Sequence, residues 1–304
     1  MTRPARFRFS RRFVRTWPFA RLATILSSLS LVLLAGCAGA LNAVTSGAGY
    51  RVVENVRYMP GERGTLDLYI PDGVAANAPL VVYVHGGSWD SGSKDIYLFV
   101  GQSLASEGMI VAVPNYRLYP ETRFPGFVED AARATVAAAR LADRGEYGIA
   151  AGRHPLFLMG HSAGAEIAGL LATDGRYLSR AGGSIRDLSG FVGLAGPYDF
   201  LPLTEERYKR IFPEATRAAS QPVNFVDGDE PPMLLIAGSA DTTVDPKNTR
   251  SLAAKARSAG VPVESRIVDG VDHIGVITAF ATALDLSDRS IRSEVLNFIR
   301  RHAR

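Results

Sequence analysis

Apolar and polar residues follow two alternating patterns along the chain from about residue 51 onward. Short, mostly apolar runs are closely followed by glycine or proline, as expected for strands buried in a parallel sheet. These predicted strands are Leu80–Val84, Met109–Val113, Leu156–Met159, Phe191–Leu194, Met233–Ala237 and Val263–Val268. Ahead of them, Arg51–Tyr58 and Leu66–Ile70 alternate polar and apolar residues, which is typical of half-exposed strands.

Between these strands, apolar positions recur at helical spacing. The predicted helices are Asp95–Glu107, Phe127–Asp143, Glu166–Thr173, Thr249–Ser258 and Ser290–Arg301. Strands interleaved with helices indicate an α/β fold, in which helices cover both faces of a mostly parallel central sheet. The segment Tyr198–Asp229 is broken by prolines and follows no regular period, so we interpret it as a short lid.

The first 36 residues have a different composition from the rest. They contain seven arginines and no acidic residue, and they end in a largely apolar run of 13 residues, Leu22–Leu34. A bilayer-spanning helix needs about 20 residues, so this run fits the hydrophobic region of a secretory signal instead. The following Leu34-Ala35-Gly36-Cys37 resembles the lipobox of bacterial lipoproteins.

That resemblance implies a diacylglycerol on Cys37, which would become the first residue of the mature protein. We therefore expect a lipid-anchored protein of the cell envelope, at the outer membrane or periplasmic face if the envelope is Gram-negative. Residues 1–36 would be the signal peptide and residues 37–49 a flexible tether. Alternatively, Cys37 is an incidental small residue near an ordinary cleavage site.

Composition narrows the class of protein further. The 304 residues are 47% hydrophobic and 21% charged, which excludes a disordered chain or a multi-pass membrane protein. Removing the seven N-terminal arginines from the 34 basic residues leaves 27 against 30 acidic ones, a net charge of −3. Nucleic acid is therefore not expected as a partner. Cys37 is the only cysteine, so an intramolecular disulfide is excluded.

The sequence Gly160-His161-Ser162-Ala163-Gly164 is the strongest chemical motif. It lies between the predicted strand Leu156–Met159 and the predicted helix Glu166–Thr173, where two glycines permit a sharp turn that exposes the Ser162 hydroxyl. The alternative interpretation is structural: Ser162 would cap the N-terminus of a glycine-rich helix and take no part in chemistry.

A serine nucleophile needs a base and a carboxylate that orients it. Of the five histidines, His273 follows the strand Val263–Val268 in a loop and is the candidate base. Asp241 follows the strand Met233–Ala237, at the sheet edge where α/β proteins place their sites, and is the favoured acid. Asp199 is the principal rival. The weaker ones are Asp245, Asp269 and Asp272.

The sequence His85-Gly86-Gly87-Ser88-Trp89 follows the strand Leu80–Val84. Its glycines allow the Gly86 and Gly87 N–H groups, together with that of Ala163, to surround a developing oxyanion; one such donor contributes roughly 10²–10³ in turnover. Trp89 is expected either to line the substrate pocket or to fill the core.

Together these motifs resemble the α/β-hydrolase superfamily over residues 50–304, and specifically carboxylesterases with a His-Gly-Gly-x-Trp loop. Arylformamidases, prenylcysteine methylesterases and hormone-sensitive-lipase-like esterases are similar. The order Ser162, Asp241, His273 matches that superfamily. Ser88 stands where the lipase-like group has a third glycine, which favours the arylformamidase-like branch.

The resemblance implies a serine esterase that forms an acyl-enzyme on a small-molecule ester, with short-chain or aryl groups, and needs no cofactor or metal. Trp89 and Tyr198 are expected to contact the substrate. An arylformamidase that cleaves an N-formyl amide is the alternative enzyme. A non-catalytic envelope binding protein on the same fold is the alternative from another class.

Overall fold

The computed structural model describes residues 41–303, and one eight-stranded sheet organises them. The strands are β1 Tyr50–Arg57, β2 Thr65–Pro71, β3 Leu80–Val84, β4 Ile110–Pro114, β5 Leu156–His161, β6 Leu188–Leu194, β7 Met233–Gly238 and β8 Val263–Val268. Their order across the sheet is β1-β2-β4-β3-β5-β6-β7-β8. Only β2 pairs antiparallel with its neighbours β1 and β4; the other pairs are parallel. The predicted mostly parallel sheet is confirmed.

Helices cover both faces of this sheet, as predicted. They are α1 Leu98–Ala105, α2 Gly126–Asp143, α3 Ala163–Thr173, α4 Gly175–Ala181, α5 Glu206–Ile211, α6 Glu214–Arg217, α7 Lys247–Ser258, α8 His273–Thr278 and α9 Ser290–His302. Side chains alternate across each strand, so Val82 packs with α2, α3, α4 and α7, whereas Tyr83 packs on the opposite face with α1, α8 and α9. We call these the α2 face and the α9 face.

Burial of β2 differs from the sequence expectation. The alternation in Leu66–Ile70 predicted a half-exposed strand, but every residue of β2 is buried because β1 and β4 flank it and helices cover it. Its charged residue, Asp67, is compensated by Lys94, whose Nζ lies 2.9 Å from Oδ1 in an ion pair buried on both sides.

At two further places the structure differs from the predicted boundaries of helices and loops. The single helix expected over Asp95–Glu107 begins as a 3₁₀ turn, Lys94–Tyr97, and continues as α1. His273, expected in a loop, is the first residue of α8. Asp272 caps that helix, since its side chain accepts a hydrogen bond from the Gly275 N–H group.

The segment interpreted as a lid is folded against the sheet. Residues 198–229 contain α5, α6 and two 3₁₀ turns, and Ile211 and Phe212 are fully buried. Arg207 of α5 forms an ion pair with Asp90, with 2.6 Å between Nε and Oδ2. The segment is therefore held against the loop that follows β3.

Residues 41–44 form a helical turn that packs against the body. Leu41 is 4% exposed, the Asn42 side chain donates to the Asp95 carbonyl at 2.8 Å, and it accepts from the Phe99 N–H group at 3.3 Å. The predicted flexible tether over residues 37–49 is thus wrong at Leu41 and Asn42, because apolar burial and hydrogen bonds fix them. Residues 1–36 and Cys37 lie outside the described residues. Within residues 41–303, no helix is both long and apolar enough to cross a membrane.

Candidate active site

Ser162 lies in a sharp turn between β5 and α3. Its backbone has φ 57° and ψ −126°, an unusual conformation for a non-glycine residue. The flanking glycines make the turn possible. A Cβ atom on Gly164 would collide with the Val84 carbonyl oxygen, and one on Gly160 would collide with the carbonyl of Gly164. The expected elbow therefore has the backbone contacts that only glycine permits.

Asp241 and His273 are brought together from the ends of β7 and β8. His273 Nδ1 lies 2.7 Å from Asp241 Oδ2, and the N–H groups of Thr243 and Val244 each donate to Asp241 Oδ1 at 2.8 Å. Burial raises the pKa of Asp241, but the hydrogen bonds from His273, Val244 and Thr243 outweigh it and hold that pKa below its ordinary value. The carboxylate thus keeps the proton of His273 on Nδ1 and leaves Nε2 as an acceptor.

The rival carboxylate, Asp199, has other partners. Its side chain accepts from the Ser251 hydroxyl at 2.5 Å, and its N–H group donates to Asn248 Oδ1 at 2.8 Å. The structure therefore places Asp241, and not Asp199, against His273.

His161 connects the elbow to the start of α8. Burial lowers the pKa of its imidazole to about 3, so the ring is neutral. Its Nε2 donates to the carbonyl oxygen of His273 at 3.0 Å, and the two rings are 4.7 Å apart. Since His161 precedes Ser162 directly, this bond fixes the backbone of His273 relative to the elbow. Sequence reasoning gave this side chain no role, and its backbone partner 112 positions away leaves no sequence signal.

The loop after β3 packs directly on the elbow. A Cβ atom on Gly86 would lie 3.0 Å from the His161 carbonyl oxygen and 3.2 Å from the Cβ of Ser162. Gly87 has φ 128°, which favours glycine. Among residues 41–303, the N–H groups of Gly87 and Ala163 have no hydrogen-bond acceptor, whereas the N–H group of Gly86 faces the buried Tyr97 hydroxyl. Unpaired donors thus lie beside the Ser162 side chain.

A cavity of about 250 Å³ opens onto Ser162 and Ala163. Its walls come from three parts of the chain: the loop after β3, the folded segment 198–229 and the loop after β7. Representative lining residues are Trp89, Phe200, Leu203, Tyr208, Val244 and Asn248. The arrangement can hold a small acyl compound next to the serine hydroxyl.

Trp89 is both a cavity wall and a core residue. It is 6% exposed, and its ring meets that of Phe212 edge-on at 4.8 Å. Its Nε1 donates to Glu166 Oε2 at 2.9 Å. Complete burial raises the pKa of Glu166 well above its ordinary value and favours the protonated carboxyl, only partly opposed by that hydrogen bond. A neutral acid on α3 therefore holds the indole in place.

Tyr198, expected to contact the substrate, does not line the cavity. It is completely buried and packs edge-on against Phe191 of β6, at 6.3 Å between ring centres. The expectation is wrong because the chain turns into the core immediately after Pro197. Phe200 and Leu203, slightly further along, take the wall position instead.

Comparison with known proteins agrees with this geometry. Residues 66–256, well over half of the chain, match the model of the BD-FAE family. The chain belongs to the BD-FAE family. Esterase B from Lactobacillus rhamnosis, in a structure inhibited by a tributyrin phosphonate, superposes with a TM-score of 0.75 at 20% identity, covering 95% of this chain and 97% of that one. The esterase of Pyrobaculum calidifontis gives a TM-score of 0.72 at 22% identity, covering 94% and 98%. The expected α/β-hydrolase fold is confirmed.

Curated relatives of this BD-FAE family member include several hydrolases. Kynurenine formamidase from Salmo salar is 33% identical over 150 residues, 49% of this chain and 47% of the relative. Isoprenylcysteine α-carbonyl methylesterase from Arabidopsis thaliana is 26% identical over 246 residues, covering 73% and 56%. Esterase LipC from Mycobacterium tuberculosis is 30% identical over 201 residues, covering 60% and 49%. The chain spans about half the length of these relatives.

The protonated state of Glu166 gives a testable pH dependence of stability. The pKa of Glu166 is raised above the unfolded value of 4.5. Its contribution to the free energy of unfolding is therefore complete below pH 4.5 and is lost as the pH rises. Glu166→Gln keeps a neutral hydrogen-bond acceptor and cannot ionise. Above pH 4.5 we expect the free energy of unfolding of Glu166→Gln to increase relative to that of the wild type, by up to about 1.4 kcal/mol per pH unit.

Urea unfolding at pH 5, 6, 7 and 8 measures that difference. Glu166→Ala is the control, since it leaves the Trp89 N–H group without its partner and is expected to cost about 1–3 kcal/mol. A gap between Glu166→Gln and the wild type that does not change with pH would show that Glu166 is ionised in the folded protein.

Proposed function

We propose that this protein is a serine hydrolase that cleaves small carboxylic esters through an acyl-enzyme. The observation that carries the proposal is the 2.7 Å contact between His273 Nδ1 and Asp241 Oδ2. The His273 ring lies 4.7 Å from that of His161, the residue directly before Ser162. The esterases among the relatives and the fold neighbours support it.

In this mechanism Ser162 Oγ attacks the ester carbonyl carbon, and His273 Nε2 accepts the hydroxyl proton. Asp241 holds the ring orientation and stabilises the imidazolium that forms. The alcohol then leaves with the proton from His273, and an acyl group remains on Ser162. A water molecule, deprotonated by His273, then attacks the acyl carbon. The bond to Ser162 Oγ breaks, His273 returns the proton to that oxygen, and the acid is released.

Backbone N–H groups are proposed to stabilise the negative charge that develops on the substrate oxygen. The tetrahedral intermediate carries a negative oxygen, and the unpaired N–H groups of Gly87 and Ala163 are proposed as its donors. Gly86, the third donor expected from the sequence, directs its N–H group to the Tyr97 hydroxyl. Both proposed donors are held beforehand by the contact between the loop after β3 and the elbow, so little reorganisation is needed during the reaction.

The same groups would cleave an N-formyl amide. The similarity to kynurenine formamidase favours that activity as the second candidate. In that reaction Ser162 would take the formyl group and His273 would protonate the departing amine. Hydrolysis of N-formylkynurenine beside p-nitrophenyl esters distinguishes the two.

The first functional prediction concerns the proposed triad. Ser162→Ala should lower kcat for p-nitrophenyl acetate by at least about 10³-fold, since the covalent route is lost. Asp241→Asn should cause a loss of roughly 10⁴-fold, because the amide favours the wrong tautomer of His273. The matched control is Asp199→Asn, for which kcat should stay within about threefold of the wild type.

Steady-state kinetics and labelling with a fluorescent phosphonate check these values. A Ser162→Ala variant with more than a tenth of wild-type turnover would exclude the serine mechanism. Wild-type protein that neither turns over the panel nor reacts with the phosphonate would point to the non-catalytic binding protein.

The second prediction concerns substrate size. A cavity of about 250 Å³ with an indole in its wall favours acetyl to butyryl esters. Leu203 is half-buried in the wall, so Leu203→Ala should enlarge the cavity and move the optimum to longer chains. Each accommodated methylene is expected to contribute roughly 1 kcal/mol or less. Trp89→Ala is less suitable, because Trp89 also fills the core.

The measurement is kcat/KM for p-nitrophenyl esters from C2 to C12. Acetyl turnover by Leu203→Ala should remain within about tenfold of the wild type, since no group of the triad changes. A wild-type optimum at C8 or longer, or the same profile in the variant, would contradict the assignment of this wall.

We further propose that the protein is anchored to the cell envelope by lipid on Cys37, on the basis of the sequence Leu34-Ala35-Gly36-Cys37 after an apolar run. The mature protein should fractionate with membranes. Cys37→Ser should release it to the soluble fraction or block its processing. Mass analysis of the N-terminal peptide is decisive, and an unmodified Cys37 would refute the anchor.

A further inference from the structure

The described chain begins at a point fixed to the body of the protein. Leu41 is buried, and Asn42 is hydrogen-bonded to the backbone of Asp95 and Phe99, at the start of α1. The residues that precede Leu41 are therefore attached to the domain at one defined place on the α9 face.

That place lies only four residues from Cys37. An extended chain covers at most about 3.3–3.6 Å per residue, so Cys37 can be no more than roughly 14 Å from Leu41. A lipid on Cys37 would bring the bilayer surface to within roughly that distance of Leu41, whose neighbour Asn42 contacts the start of α1. So short a connection leaves the folded domain little freedom to choose which side it turns to the membrane.

A second observation points to the same side. Asn42 is bonded to backbone groups of Asp95 and Phe99 at the start of α1, and Gln102 lies about one turn further along the same helix. The Thr282 side chain donates to Gln102 Oε1 at 2.9 Å. The N-terminal turn and the loop from residue 282 therefore flank the same helix.

These two segments carry most of the exposed large apolar side chains. Within residues 41–303 five such side chains are exposed, and three belong here: Val44, Leu284 and Leu286, at 50%, 40% and 51% exposure. Asp285 is paired with Arg289 at 3.0 Å, so the loop offers apolar contact and no excess of positive charge. Exposed apolar side chains without excess positive charge are suited to contact a lipid bilayer, whereas an acidic partner would need positive charge on this surface.

We propose that Val44, Leu284 and Leu286, the α1 surface, rest on the bilayer to which the protein is anchored. The proposal depends on lipidation of Cys37. The aromatic wall of the cavity packs on the α2 face, on the other side of the sheet. The membrane-bound domain therefore keeps its cavity open to water, and its substrate is a water-soluble ester rather than a lipid of the same bilayer.

The test uses full-length lipidated protein reconstituted into phosphatidylcholine vesicles. Leu284→Cys carries an environment-sensitive NBD dye, and Cys37, the only native cysteine, is blocked by its lipid. The matched control is Ser179→Cys, an exposed position on α4 at the α2 face. Both sites are exposed and neither lines the cavity at Ser162, so ester hydrolysis verifies that each variant is folded.

We expect the dye at position 284 to shift to the blue and to be quenched by lipids spin-labelled near the headgroup. The dye at position 179 should remain water-exposed, and added salt should change neither result. Leu286→Cys, labelled in the same way, should repeat the behaviour of Leu284→Cys.

The possible outcomes distinguish the orientation on the membrane, the lipid anchor and the esterase activity from one another. Lipidated Cys37 with a water-exposed dye at position 284 refutes the orientation and leaves the anchor intact. An unmodified Cys37 refutes the anchor and the orientation together. Hydrolysis of p-nitrophenyl acetate, which requires neither, reports on the proposed esterase activity independently.

Discussion

Backbone contact between α3 and β3 is the constraint on which the site depends. Gly164 allows the first turn of α3 to touch the carbonyl oxygen of Val84, and any side chain there would occupy the same space. That approach brings the end of β3, and with it Gly86, against the elbow. Ser162, the unpaired N–H groups and the mouth of the cavity are neighbours because of it. A single added methyl group at Gly164 would separate them all.

Around the elbow, burial determines which groups carry charge. His161 and His85 are kept neutral because burial lowers the pKa of each imidazole to about 3, and Glu166 is neutral because burial raises its pKa. Asp241 is different, since three hydrogen bonds hold its pKa below the ordinary value despite burial. A positive charge formed on His273 would thus face one nearby carboxylate, with no competing ion among these buried groups.

The sequence predicted the parts of this site that depend on local pattern. β3 and β8 have the expected bounds, and the elbow lies between a strand and a helix as its glycines indicate. Asp241 and His273 were predictable as neighbours because parallel strands end at one edge of the sheet. His161 and Glu166 were not, since their partners are a distant carbonyl oxygen and an indole. The position of Tyr198 was predicted wrongly, because the direction of the chain after β6 is set by core packing that no short motif records.

Part of the cavity wall belongs to a segment that contributes nothing to the proposed triad. Phe200, Leu203 and Tyr208 come from the folded insertion after β6, which is fastened to the loop after β3 by the Arg207–Asp90 ion pair. Substitutions there can reshape the pocket without moving Ser162, Asp241 or His273. In the proposed serine hydrolase, substrate range and bond-breaking chemistry are therefore encoded in separate stretches of the chain, so that substitutions can alter the first while preserving the second.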